Sequence, residues 1–167
     1  MKKGLIIFFL VVGNMCFSQN YSSFTEMKSD IISKTIPLIT VDEFKKVENT
    51  KTPLLILDAR EKREFDISHI KKAKYVGYDN FDINDLNQID KETTVVVYCS
   101  VGYRSEKIGE KLKKAGFKKV LNLSGGVFDW VNKGYLVYDN SGEPTNKVHA
   151  YDKAWGKWLL KGEKVYE

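Results

Sequence analysis

Thr93-Thr94-Val95-Val96-Val97-Tyr98 runs without a break into Cys99-Ser100-Val101-Gly102-Tyr103-Arg104-Ser105, and the reading of this stretch decides the fold. The first six residues are β-branched or aromatic and uninterrupted, which predicts a strand. From Arg104 onward Ile108, Leu112 and Ala115 recur on one helical face with charges elsewhere, and Gly116 stands where a helix would stop. A buried strand thus passes through a tight turn into an amphipathic helix, with a cysteine at the turn. Backbone N–H groups of such a turn converge as an anion nest, and the helix dipole adds partial positive charge. Both favour a thiolate at Cys99, and Arg104 adds a full positive charge nearby. Gly102 supplies the backbone freedom the turn needs. The residues therefore point to an activated nucleophile facing an anion, although a lone cysteine at a strand end is more often a small core residue.

Outward from this stretch, strand and helix signals alternate. Thr40-Val41-Asp42-Glu43 is a capping box opening a helix that ends near Asn49-Thr50. Leu54-Leu55-Ile56-Leu57 is a continuous apolar run closing in Asp58, as expected of a buried strand. A short exposed helix is expected around Glu61 to Glu64, a strand at Lys74-Tyr75-Val76, and a helix over Phe81 to Ile89 starting at Asp82. Val120-Leu121-Asn122-Leu123 reads as a further strand, followed by Ser124-Gly125-Gly126 and a helix through Trp130. This alternation over residues 36–137 predicts an α/β fold, a mostly parallel central sheet with helices on both faces. The ligand site of such a sheet lies beyond the carboxyl ends of its strands, where Cys99 stands.

The chain has 167 residues, 43% hydrophobic and 29% charged, which suits one domain with a real core and excludes extended disorder. A net charge of +5 with no clustered basic and stacking motif gives no case for nucleic acid. Lys2 and Lys3 before the apolar run Leu5 to Val12 have the layout of a signal peptide over residues 1–18. The run is too short for a permanent membrane anchor, and export with cleavage after Ser18, to the periplasm, is expected. Lipidation at Cys16 is the competing reading, against which Met15 stands where a small residue is wanted. If Cys16 leaves with the signal, Cys99 is the one thiol that remains, so neither a disulfide nor a dithiol mechanism is available. Residues 19–35 read as a leader strand or short helix. Residues 138–167 form an aromatic, basic extension in which Trp155, Trp158, Leu159 and Leu160 alternate with Lys153, Lys157 and Lys161. It is expected to pack on the domain, a membrane-surface helix being the other reading.

Cys99-x-x-Gly102-x-Arg104 between a Val-rich strand and a helix resembles the active-site loop of the rhodanese (sulfurtransferase) family. Leu57-Asp58-Ala59-Arg60, Glu64-Phe65, His69-Ile70 with Ala73, and Leu123-Ser124-Gly125-Gly126 with Trp130 resemble other segments of that family in the same order. Ser68 departs from the usual Gly, and Lys71-Lys72 from the usual Pro-Gly. The resemblance implies a rhodanese-like fold and persulfide chemistry at Cys99: sulfur is taken from a small anionic donor such as thiosulfate and passed to cyanide or a thiol, with no cofactor and no metal. In that reading Ser100, Val101, Gly102, Tyr103 and Ser105 form the cradle, and Arg104 orients the donor. Cysteine phosphatases and arsenate reductases of related architecture place the Arg six positions after the Cys, whereas Arg104 is the fifth, a ring suited to one sulfur. A non-catalytic module binding a persulfidated or anionic partner is the alternative. Asp58 and Arg60 are more simply a structural pair, and His69 a residue that pins its loop. His149 has no ligand partners at metal spacing.

Overall fold

The computed structural model describes residues 21–50 and 52–167. Residues 1–18, expected to be a signal peptide, and Cys16 among them lie outside the described residues. Helix α1 (Phe24–Ile31) is capped by Ser23, and places Met27 in the core. Strand β1 (Leu38–Ile39) leads to α2 (Val41–Glu48), whose Thr40–Glu43 capping box forms as the sequence predicts. Then follow β2 (Leu54–Asp58), α3 (Lys62–Ile67) and β3 (Lys74–Tyr75). A 3₁₀ turn (Ile83–Leu86) precedes β4 (Thr94–Tyr98), α4 (Tyr103–Lys114), β5 (Lys119–Leu123) and α5 (Gly126–Asn132).

These five strands form one sheet in the order β1-β5-β4-β2-β3, parallel at every pairing. β4 lies at its centre and its side chains alternate between two cores. Val96 and Tyr98 enter one core with Phe44 of α2, Val127 and Phe128 of α5, and Met27 of α1. Val95, Val97 and Cys99 enter the other with Ile108 and Leu112 of α4 and Leu86 of the 3₁₀ turn. Burial on both faces explains why β4 carries no polar residue in alternation.

Two expectations change. The segment Phe81 to Ile89 forms only the 3₁₀ turn, begun by Asp82 capping Asn84 N–H, because few of its residues find core to bury. α3 is not simply an exposed helix: Glu64 within it is fully buried.

The C-terminal extension is no continuous amphipathic helix. It comprises β6 (Val137–Tyr138) paired antiparallel to β7 (Pro144–Thr145), β8 (Lys147–His149) parallel to β9 (Glu163–Val165), and a short α6 (Lys153–Gly156). Val148, Ala150 and Leu159 join the core shared by α2 and α5, and Trp155 and Trp158 pack against it. Among the described residues no helix is long and apolar enough to cross a membrane.

Candidate active site: a cysteine loop beneath an aromatic cleft

Cys99 follows β4 directly and is 1% exposed. Its Sγ accepts the Gly102 N–H at 3.1 Å. Gly102 is the N-cap of α4 with φ +119°, a conformation that side-chain-bearing residues rarely adopt, and a Cβ there would lie 2.7 Å from Ile32 Cδ1. Behind the loop, the Cys99 and Ser100 carbonyls accept the N–H groups of Val127 and Phe128 at 2.9 and 3.2 Å. This brings the start of α5 so close that a Cβ on Gly126 would stand 2.2 Å from the Cys99 carbonyl oxygen. The Ser124-Gly125-Gly126 segment is therefore the back wall of the cysteine loop.

Asn122 of β5, which the sequence does not single out, braces the loop from the side. Its Nδ2 donates to the Gly102 carbonyl at 2.9 Å, and its Oδ1 accepts the Ser105 hydroxyl at 2.7 Å. Ser105 Oγ in turn lies 3.5 Å from Cys99 Sγ. One hydroxyl proton thus has two acceptors. An anionic Sγ competes for that proton with the Asn122 oxygen. Asn122→Ala leaves the Gly102 carbonyl and the Ser105 hydroxyl without their buried partner. The variant is expected to lose about 1–3 kcal/mol of stability, read as a lower urea midpoint at unchanged m-value.

Arg104 is paired with a buried carboxylate of α3. Its guanidinium forks onto Glu64, Nη1 to Oε2 at 2.5 Å and Nη2 to Oε1 at 2.8 Å, and Nη2 also donates to Ser100 Oγ at 3.0 Å. Three of its five donors are committed, and its charge is matched by a buried carboxylate. Ser100 Oγ and the Glu61 N–H donate to Glu64 as well, at 3.1 and 2.9 Å. Arg104 therefore holds the loop to α3, and it also lines the cavity above Cys99. Glu64 is the functional-site residue most easily missed, since a charged residue in a polar helix reads as solvated. Its one signal is the Glu64-Phe65 segment of the resemblance.

Burial opposes ionisation of Glu64, but the hydrogen bonds and charge of Arg104 outweigh it and hold the carboxyl at about 2, below its ordinary 4.5. A folded-state value below the unfolded one stabilises the fold above the unfolded value and is lost as pH falls through the folded one. Stability is expected to decline between about pH 4.5 and pH 2 in the wild type, and urea midpoints should show a shallower decline in Glu64→Gln.

Asp58 and Arg60 form a fully buried pair one strand over, aligned with Tyr98 by register. Asp58 accepts Arg60 Nε and Nη2, the latter at 2.6 Å, and Nη2 also donates to the Ser68 carbonyl at 2.6 Å. Burial works against the guanidinium charge, and Asp58 overcomes it, so Arg60 stays firmly protonated. His69 stacks on Phe65 at 3.9 Å, its Nδ1 facing the Phe65 carbonyl at 3.1 Å, and exchanges backbone hydrogen bonds with Tyr138. None of these three touches Sγ by hydrogen bond. Ser68 uses its hydroxyl to bond the Lys147 carbonyl, which a glycine could not do, and Lys72 takes φ +64° where the family's usual residue is Gly.

Above Cys99 opens a cavity of about 790 Å³. Ser100, Val101, Tyr103 and Arg104 form its floor with Cys99, Glu61 and Arg63 stand at the start of α3, and Tyr78 and Asp79 follow β3. The remaining wall is Tyr21, Asp30 and Ile31 from the N-terminal segment and Tyr151 and Trp155 from the C-terminal extension. Tyr151 has φ +67°, and its N–H donates to Nδ1 of the buried His149 at 3.1 Å. Burial pushes the His149 imidazole below its ordinary range, which keeps it neutral for that bond. Among the described residues no group of three His, Cys, Asp or Glu is placed to hold a metal ion.

Comparison with known proteins places this arrangement. The Bacillus subtilis protein named "Putative sulfur carrier protein YrkF" is 34% identical over 103 residues, which are 60% of this chain and 54% of that one. The chain thus spans about half the length of that relative. A rhodanese-like domain protein of Staphylococcus aureus superposes with TM-score 0.52 at 29% identity, over 65% of this chain and 97% of that one. A thiosulfate sulfurtransferase of Pseudomonas aeruginosa shares the fold, with TM-score 0.57 at 24% identity over 65% of this chain and 21% of that one. The rhodanese-like domain family matches residues 40–133, from the capping threonine of α2 to the end of α5, and the chain belongs to that family.

Proposed function

We propose that this protein is a sulfurtransferase that carries sulfane sulfur as a persulfide on Cys99. The observation that carries the reading is the Gly102 N–H aimed at Sγ across a loop of five-residue Cys-to-Arg spacing. A donor of fixed position next to sulfur stabilises negative charge there, on the thiolate and then on the persulfide. The thiolate attacks the outer sulfur of a donor such as thiosulfate. The donor's S–S bond breaks, sulfite departs with the electron pair, and Cys99–S–S⁻ remains. A thiophilic acceptor such as cyanide then attacks the outer sulfur, leaving as thiocyanate and returning the electron pair to Sγ. Family membership and a relative named as a sulfur carrier support this chemistry. Arg104 and Ser100 keep the loop in shape through Glu64, and Ser105 supplies a second hydrogen-bond donor to the sulfur anion. Export by residues 1–18 would place the reaction outside the cytoplasm.

Steady-state formation of thiocyanate from thiosulfate and cyanide tests the function, beside hydrolysis of p-nitrophenyl phosphate by the same sample. Thiocyanate without phosphate release is the expected result. Phosphate release without thiocyanate would move the protein to the phosphatases, and a stable persulfide that never discharges would make it a binding module.

A further inference from the structure

The cleft over Cys99 is larger and differently lined than inorganic donors require. Its volume of about 790 Å³ falls among pockets that enclose whole organic ligands, roughly 300–1,000 Å³. Much of its wall comes from outside the family-matched residues 40–133: Tyr21 and Asp30 from the N-terminal segment, Tyr151 and Trp155 from the C-terminal extension. Tyr151 is held in the left-handed region by its bond to His149, with its ring 5.2 Å from the Arg104 guanidinium carbon. Backbone strain in a bulky residue persists where the surroundings impose it, and here it sets an aromatic ring, 43% exposed, at the mouth of the cysteine site.

Charge points the same way. Asp30, Glu61 and Asp79 line the cleft against Arg63, while the other lining cation, Arg104, is matched by Glu64. Ring faces are electron-rich, and rings beside carboxylates form a setting that favours a cation.

Building on the persulfide reading, we propose that the cleft selects an organic thiol bearing a protonated amine as acceptor of the Cys99 sulfur. The acceptor's thiol proton passes to the outer sulfur of the persulfide, giving R–S⁻ and Cys99–S–SH. R–S⁻ then attacks that outer sulfur, the Cys99 S–S bond breaks with its electron pair returning to Sγ, and R–S–SH leaves. Atoms and charge balance with no added oxidant or reductant. The rings hold the body of the acceptor, and the carboxylates face its ammonium group.

The test loads Cys99 with inorganic polysulfide, removes the excess, and follows loss of one sulfur by intact mass. Cysteamine, 2-mercaptoethanol and 3-mercaptopropionate serve as acceptors at low ionic strength, each rate divided by its thiolate fraction. A small-molecule persulfide supplies the baseline order. Cysteamine is expected to exceed 3-mercaptopropionate by about tenfold relative to that baseline, with 2-mercaptoethanol between them. The ratio should fall toward the baseline in Trp155→Leu combined with Asp79→Asn, and independently in Tyr151→Leu, 2-mercaptoethanol being the internal reference within each variant. A wild-type ratio equal to the baseline, or a ratio unmoved by both variants, overturns the proposal while leaving sulfur transfer intact. Failure of Cys99 to load overturns sulfur transfer itself, and this proposal with it.

Discussion

Cys99→Ser is expected to reduce thiosulfate-to-cyanide transfer by at least about a thousandfold while the protein stays folded. Sγ is buried, receives one N–H from Gly102, and lies beside Ser105, and a serine hydroxyl fits the same space and accepts the same bond. Stability should therefore change by no more than about 1 kcal/mol. The chemistry cannot survive, because a hydroxyl cannot form the S–S bond on which transfer depends. Thiocyanate assay and thermal unfolding on the same preparation check both halves. Residual transfer near the wild-type rate would assign the sulfur to some other group.

The second large effect is on stability. Asp58→Ala is expected to cost about 3–5 kcal/mol, because it leaves the Arg60 guanidinium charged and shut away from water. Arg60 is fully buried, its Nη1 already lacks a partner, and Asp58 supplies the countercharge. Removing both charges should hurt less than removing one: Asp58→Ala with Arg60→Met is expected to recover a large part of the loss, since a buried pair pays desolvation twice and a well-packed apolar pair does not. Urea denaturation of the two variants measures this. Equal destabilisation by the single and double changes would mean that the pair contributes by packing alone. The effect reaches the site because Asp58 and Tyr98 are register partners, so the end of β2 fixes the end of β4 from which Cys99 departs.

The sheet was legible because its strands are buried on both faces and need continuous apolar runs, as in Leu54–Leu57 and Thr94–Tyr98. The capping box at Thr40 was legible because its two hydrogen bonds need only residues three apart. The cysteine loop could be read because its chemistry is local. What stayed hidden was nonlocal. Glu64 becomes a buried anion only because Arg104 arrives from forty residues away. Asn122, in the middle of an apolar strand, is polar for the sake of Gly102 and Ser105. His149 and Tyr151 acquire meaning only when β8 packs against α3 and the extension rises beside the cleft. The extension also hid its form, since Trp155, Trp158 and the lysines around them suit a helix or a ribbon equally, and Gly156, the Lys157 turn and Gly162 at φ +87° break the helix early.

The central claim is that sulfur resides on Cys99 between donor and acceptor, and intact mass measures it most directly. The reduced protein is incubated with thiosulfate, desalted, weighed, digested for site assignment, and weighed again after cyanide. The account predicts a gain of one sulfur on the peptide containing Cys99, removed by cyanide with release of stoichiometric thiocyanate. An unchanged mass under conditions in which the protein still turns thiosulfate and cyanide into thiocyanate would contradict it.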